Sequence, residues 1–169
     1  IAVLDTAQFN ALTTDQFAVL SAAQAGAITS AQTATMATDD LQALTTAAVR
    51  ALSSDAIASM GTAAVAALTT TQAAALTTAQ VSAMTSAQFD KMTSEDVAAL
   101  GTANIRMLET DSISVLDTAQ FTAMTAGQFA ALTTAQAEGI NSAQAAAWET
   151  DDVRAFSASA LAALSTNAL

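Results

Sequence analysis

The sequence predicts an all-α solenoid of about 21 short capped helices, one for each eight-residue repeat. Three observations predict this fold class. The 169 residues align in repeats of eight, counted from Ile1, without an insertion or deletion. Repeat position 4 is large and apolar in all 21 repeats, and position 5 is Ser, Thr, Asp, Asn or Gly in 18 of them. A fixed internal period is typical of folds in which each unit packs on its neighbours.

The eight-residue period excludes one continuous helix and a regular strand. Position 1 is also large and apolar, in 17 of 22 cases. In a continuous helix, eight residues turn about 800°, so the apolar stripe would drift by about 80° in each repeat. In a strand, positions 1 and 4 would point to opposite faces. The helix must therefore end and start again once in every repeat.

Position 5 marks the helix start, because short polar side chains there accept a hydrogen bond from an unpaired main-chain N–H. Position 8 is Gln in 11 repeats, which predicts capping boxes such as Thr133 with Gln136. The apolar residues at position 4 and at the next position 1 match a hydrophobic staple. The stretch FAALTTAQ at 129–136 thus contains the end of one helix and the start of the next.

The charges agree with this interpretation. Thirteen of the 15 acidic residues occupy positions 5, 7 and 8, in the first turn, where the helix dipole favours negative charge. A helix of about six residues is unstable alone in water, so neighbouring helices must hold it. We therefore expect a solenoid around a narrow core of Leu, Phe, Val and Met.

The composition excludes several classes of function. With four basic and 15 acidic residues the net charge is −11, which repels nucleic acid and anionic membrane surfaces. No apolar run approaches the roughly 18–20 residues of a membrane span. The chain has no Cys, His or Tyr and no phosphate-binding loop or nucleophile motif. We expect no nucleic acid partner, no membrane insertion, no cofactor and no enzymatic activity.

A second period of seven repeats, or 56 residues, is superimposed on the first. MATDDLQA at 36, MTSEDVAA at 92 and WETDDVRA at 148 are spaced in this way. We predict a single domain over 1–169 with modules at approximately 1–56, 57–112 and 113–168. One explanation is duplication of a seven-repeat gene segment. The other is that seven repeats complete one or two superhelical turns, so that equivalent repeats lie on one face.

Pairs of acidic residues recur with the longer period and are the candidates for a metal site. Carboxylate oxygens are the ligands that calcium prefers, and stacked modules could bring the pairs together. The competing interpretation is capping and solubility, since first-turn amides and the helix dipole already stabilise these acids. We predict no metal site, and the calcium candidates are Asp39, Asp40, Glu95, Asp96, Asp151 and Asp152.

Position 6 is Thr or Ser in 18 of 21 repeats and is the first helical residue in the capped arrangement. Such a hydroxyl ladder could bind ice or accept O-linked glycans. It could also reflect only that small hydroxyl residues are tolerated at a helix start. The ladder residues singled out are Thr6, Thr14, Thr46, Thr70, Thr78, Thr118 and Thr134.

The phrase A-L-T-T-A-Q, at residues 75–80 and 131–136, resembles octapeptide repeats in very large secreted or cell-surface proteins of bacteria. The resemblance implies an extracellular stalk, filament or adhesin segment, and it carries over no functional residue. Partners would be other copies, or neighbouring repeats of a longer chain, because the first and last repeats should expose core residues. The alternatives are an ice-binding protein and a calcium-dependent adhesin.

Overall fold

The computed structural model describes residues 1–165 and residue 168. Within this part the chain is entirely α-helical and contains 20 helices of four to six residues. Their bounds are α1 Thr6–Asn10, α2 Thr14–Ala18, α3 Ala22–Ala25, α4 Ser30–Thr33, α5 Thr38–Ala43, α6 Thr46–Ala51, α7 Ser54–Ala58, α8 Thr62–Ala66, α9 Thr70–Ala75, α10 Thr78–Ala83, α11 Ser86–Phe89, α12 Ser94–Ala99, α13 Thr102–Ile105, α14 Thr110–Ser114, α15 Thr118–Thr122, α16 Ala126–Ala131, α17 Thr134–Glu138, α18 Ser142–Ala146, α19 Thr150–Ala155 and α20 Ala158–Ala162.

The predicted helix starts are confirmed. Every described helix begins at repeat position 6 and has position 5 as its N-cap. In all 11 repeats with Gln at position 8, the N-cap side chain and the Gln form a complete capping box. The twenty-first predicted helix would begin at residue 166, outside the described residues. Local capping therefore marks most of the helix starts, whereas α5, α8, α13 and α14 begin at the same position without a side-chain cap.

Each helix ends without a left-handed residue. No described residue has a positive φ. In several of the six-residue helices the C-cap is the apolar position 4, as at Leu44, whose φ and ψ are −60° and 135°. The next residue is an N-cap, which also needs an extended backbone. The start signal of one helix thus serves as the stop signal of the preceding one.

The helices wind into a solenoid with about 3.5 repeats per turn. Each packs against the helix three places further along the chain, as α2 does on α5 and α9 does on α12. Side-chain hydrogen bonds between turns join residues that are typically 28 or 31 positions apart. Because contacts between turns span 23–31 residues, a turn is between three and four repeats long, and seven repeats correspond to about two turns. The module boundaries themselves stay a prediction.

The core is a single cluster of buried side chains, mainly from positions 1 and 4. Aromatic rings concentrate in its first and last repeats. Phe9 and Phe17 pack edge to face with centroids 5.2 Å apart, and Phe129 and Phe156 lie 5.3 Å apart. Where position 1 is polar, at Thr33, its hydroxyl donates a 2.8 Å hydrogen bond to the main-chain oxygen of Ala56. The narrow core is thus continuous through the described turns.

Candidate functional site

The most regular polar feature of the solenoid is a row of buried glutamines that tie consecutive turns together. In Gln136, Oε1 accepts a hydrogen bond from the N–H of its N-cap Thr133 at 2.9 Å. Its Nε2 donates to the main-chain oxygens of Ile105 at 2.7 Å and Leu108 at 2.8 Å. One side chain therefore caps its own helix and binds the C-terminal end of a helix one turn earlier.

The same pair of bonds recurs at every glutamine of position 8 that has a turn behind it. The Nε2 atom donates to the oxygens 31 and 28 residues earlier, over 2.6–3.1 Å. All these side chains are at most 2% exposed. We call this set the glutamine ladder: Gln32, Gln72, Gln80, Gln88, Gln120, Gln128, Gln136 and Gln144.

The ladder solves the hydrogen-bonding problem created by such short helices. The last carbonyls of a helix have no partner within it, and a buried polar group without a partner costs about 1–3 kcal/mol. The amide of Gln80 supplies the donor for the C-cap oxygen of Leu52 and a second donor for the oxygen of Val49, which lies in the last turn of α6 and also accepts from the N–H of Leu52. The ladder thus joins the start of one helix to the end of another.

The sequence interpretation assigned these glutamines only to capping boxes and missed the bonds between turns. A signal was present, however. A capping box accepts Glu or Gln at this position, yet position 8 is Gln in 11 repeats and Glu in none. Only Gln carries an N–H₂ group besides its acceptor oxygen. The exclusive use of the amide indicates a need for a donor that the box does not explain.

The predicted hydroxyl ladder lies on the surface. All seven of its threonines are exposed first residues of their helices. With about 3.5 repeats per turn, threonines of successive repeats point in different directions around the axis. From this turn length we expect residues 56 apart, such as Thr14 with Thr70 and Thr78 with Thr134, to lie about two turns apart on one side. The hydroxyls therefore form several separated rows.

The six acidic candidates do not gather into a common site. The first members of the pairs, Asp39, Glu95 and Asp151, are exposed. No group of three or more acidic or other metal-binding side chains that could hold an ion occurs in the part of the chain that the structure describes. The calcium-dependent adhesin therefore stays a prediction without a supporting cluster.

The second members of the pairs occupy repeat position 8, the position of the glutamine ladder, and they differ in their hydrogen-bond partners. Asp40 accepts a hydrogen bond from the hydroxyl of Thr14 at 3.1 Å, and Asp152 from the N–H of Glu149 at 3.0 Å. Asp96 is only 1% exposed, and neither of its carboxylate oxygens has a hydrogen-bond partner. The capping interpretation is therefore wrong for Asp96, whose carboxylate receives no first-turn amide.

The remaining charges are at the surface. Lys91 pairs with Asp90 at 2.7 Å, and the hydrogen bond and negative charge of Asp90 raise the pKa of the Lys91 amine. Arg154 pairs with Asp151 at 3.2 Å. Solvent screens exposed pairs of this kind. They contribute little to the energy that holds the turns together.

An apolar cavity of about 430 Å³ lies near the last turn. Its lining consists of small side chains and one indole, with no titratable group: Ser142, Ala145, Ala146, Trp148 and Ala168. This lining offers no general base that could activate the Ser142 hydroxyl. Among the described helices, none has the length and apolar character needed to cross a membrane.

The repeat pattern agrees with a known sequence family. The family model described as the ALTTAQ repeat matches residues 1–38, 34–70 and 89–126, which together span more than half of the chain. No curated protein matches the chain, and no solved structure does. Because the matched segments include complete helix starts and ladder glutamines, the chain belongs to the ALTTAQ repeat family.

Proposed function

We propose that this chain is a structural, non-catalytic segment of a filament, stalk or adhesin outside the cell. The solenoid provides a rod whose length is set by the number of repeats, since each turn contacts only its neighbours. The extracellular location is supported by the resemblance of the repeat to those of secreted and cell-surface bacterial proteins. The partners are further turns of the same kind, in one chain or in another copy.

The observation that carries this proposal is the direction of the glutamine ladder. In the first turn, Gln8, Gln16 and Gln24 complete capping boxes, but their Nε2 atoms donate to no oxygen of the described residues. Later in the chain, the equivalent amides bind the two oxygens at the end of the helix one turn earlier. The contact between one turn and the next is therefore the same at each ladder glutamine, as a rod built from repeated turns requires.

Electron microscopy tests the proposal directly. We expect native material at physiological salt to contain long particles, either as polymers of this chain or within a longer parent. The isolated chain should associate end to end, and the triple variant Gln8→Ala, Gln16→Ala, Gln24→Ala should remain as short rods. The matched control is Thr13→Ala, which weakens one cap but keeps the Gln16 amide, and it should still associate.

Two results would count against the structural role. The first is native material in which only isolated particles of single-chain size are found. The second is end-to-end association of the isolated chain that is equally strong in the triple glutamine variant. The second result would mean that contacts other than the glutamine ladder join the rods, so the ladder would no longer support the proposal.

Ice binding is the second candidate function, because the seven threonines of the hydroxyl ladder are exposed. From the turn length we expect Thr14 and Thr70 to lie on the same side of the solenoid, about two turns apart. Replacing both with Lys should abolish thermal hysteresis and leave the helical circular dichroism unchanged. The control replaces Ala11 and Ala66, which are exposed on other repeat positions, with Lys. Unchanged hysteresis in the threonine variant would exclude this face as an ice-binding surface.

A further inference from the structure

Asp96 is the one described acidic residue that is both fully buried and unpartnered. Its side chain is 1% exposed, and both carboxylate oxygens lack a hydrogen bond. Its own N–H is satisfied by the hydroxyl of Thr93 at 3.1 Å. An isolated carboxylate is costly to bury unless an opposite charge or several donors accompany it. The structure therefore leaves a carboxyl group without a hydrogen-bond partner inside the wall of the solenoid.

The repeats on either side of Asp96 show what its side chain faces. One repeat earlier, Gln88 donates to the oxygens of Ile57 and Met60. One repeat later, Asn104 donates to the oxygen of Leu76 at 2.9 Å. By the same register, Asp96 stands opposite the main-chain oxygens of Val65 and Leu68. The oxygen of Leu68 receives no other hydrogen bond from the described residues.

Asn104 also shows how far the side chain of Asp96 can reach, because Asn and Asp side chains have the same length. Since the Asn amide contacts the oxygen 28 residues earlier, the carboxylate of Asp96 can approach the Leu68 oxygen equally closely. Carboxylate and carbonyl oxygens repel one another at that separation, but together they make the oxygen ligand set that small hard cations prefer. We propose that Asp96, with the main-chain oxygen of Leu68, forms a buried site for a small hard cation that joins two turns.

The other modules indicate why the site belongs to Asp96 alone. Asp40 and Asp152 occupy the same place in their modules, but both are only half buried. Both also accept a hydrogen bond from the chain. Their charge is therefore stabilised by solvent and by a donor. At Asp96 a cation would replace the missing Nε2 group of a ladder glutamine.

Thermal unfolding in different chloride salts tests the site. The intact chain is melted at one ionic strength in sodium, potassium, calcium or tetramethylammonium chloride. At least one small cation should raise Tm by about 3–5 °C over tetramethylammonium, the gain expected at ten times the dissociation constant. Asp96→Asn, which restores a donor as in Asn104, should melt at the same temperature in all four salts. In tetramethylammonium it should melt no lower than the parent chain.

Asp40→Asn is the matched control, because it removes one acidic charge at the equivalent position and should keep the parent's cation dependence. The proposal is overturned if the parent chain melts at one temperature in all four salts, or if Asp96→Asn keeps the dependence. A parent chain that gains stability only on acidification, in every salt, would mean that a proton occupies the position. That result would also overturn the cation site, while leaving the structural role untouched.

Discussion

The repeats at 41–64 and those at 65–88 differ mainly at position 8. The first three repeats have Ala48, Ala56 and Ala64 there, and the next three have Gln72, Gln80 and Gln88. Both sets form helices with the same start, and both place position 8 in the interior. Only the glutamines donate hydrogen bonds to the preceding turn. The oxygens of Leu20, Ile28 and Met36, which face the alanines, receive no side-chain donor within the described residues.

This difference shows that starting a helix and joining two turns are separate tasks. Thr45 and Ser53 cap their helices through the N–H groups of Ala48 and Ala56 without any glutamine. The alanine repeats therefore rely on apolar packing between turns, whereas the glutamine repeats add buried hydrogen bonds. Four experiments on single residues test this difference between the two kinds of repeat.

The largest effect should come from the core that both kinds of repeat share. The side chain of Leu132 is 3% exposed. Leu132→Ala should lower the free energy of unfolding by about 2–5 kcal/mol, because a cavity replaces the side chain. The neighbouring N-cap change Thr133→Ala should cost about 1 kcal/mol. Urea unfolding of both variants measures the two losses of unfolding free energy. Equal and small losses would contradict the assignment of positions 4 and 5.

Replacing a residue of the glutamine ladder should give the next largest loss of unfolding free energy. Gln80→Ala removes a capping interaction and leaves the Leu52 oxygen without a donor from the described residues, whereas the Val49 oxygen still accepts from the N–H of Leu52. The cost should be about 2–4 kcal/mol. Gln16→Ala is the control, because Gln16 has the same capping box but donates to no earlier turn. It should cost at most about 1 kcal/mol. If both variants lose the same free energy, the bonds between turns contribute nothing measurable.

A substitution at a point where two turns approach closely should lower the free energy of unfolding by a smaller amount. A Cβ atom at Gly139 would lie 2.5 Å from Thr110 Cγ2 and 2.9 Å from the Thr110 oxygen. Gly139→Ala should therefore cost about 1–3 kcal/mol through overpacking. Gly101, an N-cap with open space around its Cα, is the control. Gly101→Ser should gain a few tenths of a kcal/mol, and a loss there would argue against the capped start.

The smallest effect should be a gain from extending the ladder. Ala64 occupies the position that is Gln8 and Gln120 in the other modules. Ala64→Gln would place an amide opposite the oxygens of Thr33 and Met36 and should stabilise the chain by about 1 kcal/mol. Thermal melting beside the parent chain measures it. A clear loss would mean that the alanine repeats pack too closely to accept the longer side chain.

The sequence alone predicted the helix starts, the capping boxes and the core positions, because these depend on residues within eight positions of one another. It did not predict that Gln136 binds Ile105 and Leu108, since that contact requires the number of repeats per turn. Capping chemistry does not determine this number. The burial of Asp96 was missed for the same reason, because a first-turn acid is exposed or buried according to the turn that packs on it.

The distance between residues separated by whole turns tests the solenoid geometry itself. The chain lacks cysteine, so spin labels can be attached to Thr14→Cys with Thr70→Cys, and to Thr6→Cys with Thr118→Cys. With helix layers about 8–10 Å apart, two turns should separate the first pair of Cα atoms by about 16–20 Å and four turns the second pair by twice that. Separations that do not double, or a first distance near the roughly 84 Å of a continuous helix, would contradict a solenoid in which seven repeats make two turns.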